Sequence, residues 1–326
     1  FREVFQSKLP FNYFALEDIT IVNKSSNRAE VAAEANQNDS NSFLVDIHIE
    51  KKADKIIDAE GNFVAPALIE PHIHLDKIFI SDVVRPNESG TLDEAIEIIW
   101  EKKKKYTIED IVNRAGKAIE LAAKNGTTRM RTHVDVDTIG GLTPLKGVVE
   151  AKKKYSDLMD IEIISFPQEG IVQDPGTEKL MWEAMENGAE IVGGMPANEE
   201  SPEDSMRHIE IAFEIAKEYD ADIDMHIDET DDPFYRTLEM LADKTLEYGW
   251  EGKVTAGHTC ALAAYDDHYA NYVMDKVKEA NINVVTNPVT NLMLQGRLDD
   301  QPKRRGITRV KELIERGINV GYGQDC

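Results

Sequence analysis

Two histidines one residue apart, His72 and His74 in Pro71-His72-Ile73-His74-Leu75-Asp76, carry the strongest chemical signal in the chain. Side chains alternate along a strand, so residues two apart point the same way and can grip one metal ion. Two unrelated structural histidines would show the same spacing. Further polar residues, however, fall at or just after the C-terminal ends of apolar strand candidates: His133 with Asp135, Gln168, His226 with Glu229, His258, Asn287 with Asn291, and Asp325. In a parallel barrel that end is the active-site face. His226 is then the natural third ligand and Asp325 the fourth. Taken singly, His226 also reads as a core or surface histidine, and Asp325 as a turn or helix-capping residue. Glu229, three residues past His226, is spaced to reach water on such an ion. His258 follows Ala256-Gly257, small residues that leave room for a ligand, although a structural histidine fits there too. His208 and His268 belong to helical patterns and are expected in solvent, and His48 is away from the strand-end face.

The elements that must position these residues are legible from their patterning. Eight strand candidates alternate with charged segments of helical period: Phe63 to Ile73, Thr128 to Val134, Ile161 to Phe166, Glu190 to Gly194, Asp222 to Ile227, Lys253 to Gly257, Ile282 to Thr286 and Ile318 to Tyr322. Eight such units predict an α/β fold, a (β/α)8 barrel. Between them, Thr107 to Lys124 and Ser205 to Tyr219 have helical spacing with Glu and Lys outward. Ahead of the barrel, Ile19 to Val22 and Phe43 to Ile47 are β-rich runs among Asn- and Ser-rich turns, the pattern of a small antiparallel unit, with Ala32 to Ser42 as a surface loop.

The 326 residues are 41% apolar, enough for a large core, and 61 acidic against 37 basic side chains give a formal charge of −24. A polyanion would be repelled by such a chain, so a nucleic-acid partner is not expected, whereas a small neutral or cationic ligand is tolerated. The basic runs Lys102 to Lys105, Lys152 to Lys154 and Lys303 to Arg305 are short and scattered, and read as solvated helix faces or turns. Two cysteines, Cys260 and Cys326, make neither a disulfide framework nor a four-cysteine zinc site, which fits a reducing cytoplasm. No run approaches the ~20 apolar residues of a bilayer span, and the N-terminus lacks signal-peptide order. The zinc site of the cytidine-deaminase fold needs His-x-Glu followed by Pro-Cys-x-x-Cys, and that second half is missing.

Together these segments resemble the bacterial cytosine deaminases of the amidohydrolase superfamily. The resemblance rests on Pro71 to Lys77 (Pro-His-Ile-His-Leu-Asp-Lys), Arg131 to Val136, Phe166-Pro167-Gln168-Glu169-Gly170, His226 to Asp232, Gly257-His258-Thr259 and Asn287-Pro288-Val289-Thr290-Asn291. Its longest stretch runs from Leu294-Gln295-Gly296-Arg297 through Pro302 to Glu312, and the whole covers roughly residues 55 to 326 in one consistent order. It implies a distorted (β/α)8 barrel in residues 66–326 joined to a small β-sandwich, of which residues 1–65 are the N-terminal part. It also implies a longer natural chain, with a further helix and sandwich strands after Cys326.

The resemblance implies one divalent ion, zinc or iron, on His72, His74, His226 and Asp325. Glu229 would carry the water proton to a ring nitrogen, His258 would stabilise the new oxyanion, and Asp325 would relay a proton to the leaving ammonia. Gln168 would hold the amide edge of a pyrimidine. Where the family has His, Asp and a second Asp, this chain has Gln324-Asp325-Cys326, which puts Cys326 at the substrate; where the family has Pro-His-Phe, it has Pro196-Ala197-Asn198. Such neutral replacements beside the ring alter which analogue is preferred. The implied reaction is cytosine to uracil plus ammonia in a homo-oligomer. Isocytosine, isoguanine, creatinine or an s-triazine are the alternative substrates, and a catalytically silent binding protein is the alternative class.

Overall fold

The computed structural model describes residues 28–33, 43–48, 65–296, 300 and 306–325. They divide after Ala67 into two units. In the first, β1 (Arg28–Ala33) pairs antiparallel with β2 (Phe43–His48), Arg28 lying opposite His48 and Ala33 opposite Phe43. The expected strand at Phe43 is present, and the one at Ile19 to Val22 lies outside the described residues. Ala32 and Ala33, expected in a loop, instead end a strand. Arg-Ala-Glu-Val-Ala-Ala has a single β-branched residue, so pairing with β2 supplies what local propensity does not.

The second unit is the predicted barrel. Its parallel strands are β3 (Leu68–Ile73), β4 (Thr127–Asp135), β5 (Asp160–Phe166), β6 (Ile191–Gly194), β7 (Asp222–Ile227), β8 (Val254–His258), β9 (Asn283–Thr286) and β10 (Val320–Tyr322), hydrogen-bonded in that order. The seam closes just past β10, where Ile73 and Asp325 form a parallel bridge. There the Asp325 amide donates to the His72 carbonyl at 2.8 Å and the His74 amide donates to the Asp325 carbonyl at 2.9 Å.

Each strand is backed by helix. Helix α1 (Leu92–Lys103) precedes α2 (Ile108–Lys124); α3 (Thr143–Lys154), α4 (Thr177–Glu186), α5 (Pro202–Tyr219), α6 (Thr237–Tyr248), α7 (Asp267–Glu279), α8 (Pro288–Leu294) and α9 (Val310–Glu315) follow. Helix α2 shows how sequence sets the arrangement. The Thr107 side chain caps its start by accepting from the Asp110 amide, and Ile111, Ala115, Ala118 and Ile119 repeat at helical spacing on the buried face. Helix α5 begins at Ser201-Pro202, a capping hydroxyl followed by a proline whose missing N–H costs nothing there. It buries Ile209, Ala212, Phe213 and Ala216. His208 is on the same face and is fully buried, not solvated as its helical setting suggested. One ring nitrogen lies 2.7 Å from Glu199, and the other accepts from the Met195 amide at 3.0 Å. His268 is exposed as expected.

Two helices, α1 and α2, separate β3 from β4, where one would complete a β-α unit. The second provides the barrel layer, so α1 is an insertion at the end of the barrel where the strands finish. Among the described residues no helix is long and apolar enough to cross a membrane.

Candidate metal and catalytic centre

His72 and His74 project from the end of β3 to the inside of the barrel, and both are buried. The His74 Nε2 atom lies 3.1 Å from His226 Nε2 and 3.1 Å from Asp325 Oδ1, and His72 Nε2 lies 3.5 Å from the same carboxylate oxygen. The His226 ring stacks on Phe166, centroids 4.1 Å apart, which fixes its plane. The four expected ligands therefore meet, although they come from positions as far apart as 72 and 325. Donor atoms of His72, His226, His258 and Asp325 also lie within 4.8 Å of one another, so His258 reaches the same point from a fifth direction.

The chemistry of these donors suits a cation. Both ring nitrogens of His72, and Nδ1 of His74 and His226, are buried without a hydrogen-bond partner. Buried polar groups are otherwise nearly always paired, and an unpaired one is costly. Burial, with Lys77 nearby, lowers the His74 pKa to about 4, and burial with the neighbouring imidazoles holds His226 well below its ordinary value. Burial alone would raise Asp325, yet the imidazoles of His72 and His74 facing its carboxyl hold it well below the usual range. His74 and His226 are thereby held as neutral imidazoles beside an anionic Asp325, the protonation state that divalent ions require of such ligands. Three nitrogens and one oxygen suit zinc or iron(II) better than calcium or magnesium.

Asp325 takes a left-handed conformation (φ 73°), as do Asp228 (47°), His258 (66°) and Thr259 (51°). Non-glycine residues in that region are strained and need surrounding structure to hold them. Asp228 shows how. Its carboxylate accepts from the Thr237 amide at 3.0 Å, the Thr237 hydroxyl at 2.6 Å and the Leu238 amide at 3.1 Å, which anchors the turn to the start of α6. The next residue, Glu229, is thereby turned toward the ligand cluster.

Glu229 Oε1 accepts from Asn291 Nδ2 at 3.1 Å and lies 3.3 Å from His258 Nδ1. Burial raises its pKa to about 7, with the Asp325 charge adding to the rise and His258 opposing it. Burial likewise lowers His258, whose Nε2 is 3.2 Å from the Asn287 amide. Gln168, at the end of β5, accepts from Lys77 Nζ through Oε1 at 2.6 Å; its backbone carbonyl accepts from Asn198 at 2.9 Å. Cys326 lies outside the described residues.

Several participants carried no assigned role in the sequence reading. Lys77, inside the histidine motif, links Asp135 (3.0 Å) to Gln168. Asn291 ties Glu229 to His258. Lys103, placed by its basic run on a solvated face, is 2% exposed and bonded to three carboxylates. The signal for it was the carboxylate pattern Asp135-x-Asp137 and Glu169 at adjacent strand ends, which demands a buried cation. Two further groups of potential ligands, His72 with His133 and Asp224, and His74 with Asp76 and Asp135, adjoin the cluster. Arg131 already pairs with Asp224, and the two lysines already pair with Asp135.

A (β/α)8 barrel with His-x-His at its first strand, later histidines and a terminal aspartate at the same rim defines a class of metal-dependent hydrolase scaffolds. Within that class, the chain belongs to the amidohydrolase family, whose model matches residues 92–326. It is 31% identical over 286 residues to N-isopropylammelide isopropyl amidohydrolase of Pseudomonas sp. (strain ADP), covering 86% of this chain and 67% of that protein. Pterin deaminase of Rhizobium rhizogenes is 29% identical, covering 82% and 61%. Among solved structures, 5-methylcytosine deaminase of Klebsiella pneumoniae liganded with 5-fluorocytosine superposes with a TM-score of 0.81 at 37% identity, covering 92% of this chain and 72% of that one. The chain thus spans about 61% to 67% of the length of these curated relatives.

Proposed function

We propose that this protein is a hydrolytic deaminase of a nucleobase-like N-heterocycle, cytosine or a 5-substituted cytosine first among them. The observation that carries the reading is Glu229, a buried carboxylate brought to about 7 beside the four-donor cluster and bonded to His258 through Asn291. A base with a pKa near the working pH both takes and returns a proton effectively. An ion held by His72, His74, His226 and Asp325 would supply Lewis acidity and make water a nucleophile near neutrality. Glu229 removes the proton from the attacking water and delivers it to the ring nitrogen next to the amine-bearing carbon. His258 faces the oxygen that has added and hydrogen-bonds it as negative charge gathers there. Asp325 takes the remaining proton from the added hydroxyl and passes it to the exocyclic amine. The carbon–nitrogen bond then breaks, leaving a ring carbonyl and ammonia. Gln168, anchored by Lys77, holds the remaining amide edge. The likeness to 5-methylcytosine deaminase supports the pyrimidine choice, and the 31% identity to an ammelide amidohydrolase favours an s-triazine as the second reading.

Release of the leaving amine by the zinc- or iron-loaded protein, ammonia from cytosine, 5-methylcytosine, isocytosine and pterin and isopropylamine from N-isopropylammelide, decides between them. The reading expects a cytosine to give the highest kcat/KM. A triazine exceeding the cytosines by tenfold would replace the substrate and keep the hydrolytic reaction, whereas no amine released from any ring would reject it.

A further inference from the structure

We propose that Lys103 is a positioning residue for this reaction: from the end of α1 it acts through Asp135 and Lys77 to hold the Gln168 amide with its NH2 group toward the ring. The inference rests on the reading of Gln168 as a substrate contact and goes beyond it to name what orients that contact.

Lys103 stands in a run of four lysines, but its neighbours Lys104 and Lys105 are exposed while its own side chain is fully buried. Taking an ammonium out of water is among the most unfavourable placements a side chain can have, and it persists only where opposite charge surrounds it. Three carboxylates do so: Asp135 Oδ2 at 2.6 Å, Asp137 Oδ2 at 2.6 Å and Glu169 Oε1 at 2.9 Å. These carboxylates hold the ammonium charged well above its ordinary range, against the effect of burial. Asp137 is itself fixed, since its other oxygen accepts from the amides of Ile139 (2.9 Å) and Gly140 (2.8 Å). The lysine stem lies against bare backbone, where a Cβ on Gly140 would fall 3.1 Å from Lys103 Cγ and Cδ.

The link runs onward from Asp135. Its second oxygen is 3.0 Å from Lys77 Nζ, which donates to Gln168 Oε1 at 2.6 Å. Because an ammonium faces one end of the Gln168 amide, an inverted amide would set NH2 against NH3+. The oxygen is therefore committed to Lys77, and the NH2 end, 3.3 Å from the weakly accepting Met195 sulfur, is available to a better acceptor. A ring carbonyl or an unprotonated ring nitrogen is such an acceptor. Lys103 also ties α1 to the rim. The Asp93, Ile96, Glu97 and Trp100 face of that helix lines a cleft of about 440 Å³ with Glu169 and Asn198. The helix and the amide are thus held by one ammonium.

The test is a double-mutant comparison of the metal-loaded chain, measuring ion content and the kinetics of ammonia release. Lys103→Met is expected to raise KM for the best heterocycle about tenfold with less effect on kcat and an unchanged ion content, roughly the loss of one charge-assisted bond. In a Gln168→Ala background the same change should move KM less than twofold, and Lys103→Arg should recover most of the wild-type value. An equal rise in KM with and without Gln168, or ion loss in parallel, overturns the proposal, because a general structural role predicts either. Should Lys103→Met not fold, Asp135→Asn, which removes the same link and keeps the side-chain shape, is judged by the same comparison. If the wild-type chain deaminates nothing, the proposed function fails on its own, and the relay is then judged by the Kd of uracil in the same set of proteins.

Discussion

Glu229 carries the proton traffic of the proposed reaction, and its surroundings set when it can. With its pKa raised to about 7 by burial, it is a working base above that value and is lost as one as pH falls through it. A cation at the adjoining cluster favours the carboxylate, so the acid limb of kcat/KM is expected at or below about 7 and not above it. Glu229→Gln keeps the shape and the bond from Asn291, removes the base, and should lower kcat by about 10²–10⁴ with ion content unchanged. Steady-state ammonia release across pH 5 to 9, with elemental analysis of both proteins, checks this. A variant within tenfold of wild type, or an acid limb well above 7, would remove Glu229 from the role.

The strand ends place the chemistry, and at one of them a glycine is required by space. A Cβ on Gly323 would fall 2.5 Å from Asn287 Oδ1 and 2.7 Å from the His72 Cβ, closer than real atoms approach. Gly323→Ala must therefore push the segment carrying Asp325 away from His72. It is expected to weaken zinc binding tenfold or more while the far-UV circular dichroism of the barrel is kept. Zinc affinity equal to wild type would show that the seam has slack.

The elements themselves were largely legible, because period-two apolar runs and helical spacing report the burial that makes strands and helices. The eight barrel strands fall within a few residues of their expected places, and the histidines at their ends converge as alternation requires. What was not legible depends on partners distant in sequence. Arg28 to Ala33 is a strand because β2 pairs with it; His208 is buried because Glu199 and the Met195 amide meet it; Lys103 is buried because three carboxylates at and just past the ends of β4 and β5 surround it. A lysine in a basic run carries no local mark of such company.

At the scale of the whole barrel, the seam and the ligand cluster are one feature. The backbone of Asp325 bonds to His72 and His74 and closes the ring of strands, while its carboxylate faces the imidazoles of the same two residues. First strand, fifth strand and the end of the last are joined at the point where a cation would sit. The chain's charge of −24 favours retention of that cation and disfavours polyanions. Elemental analysis of the protein prepared with zinc or iron available, beside His226→Ala, tests this most directly. The account predicts one divalent ion per chain in the wild type and its loss in the variant; a wild type that holds no ion, or a variant that keeps it, would contradict the account.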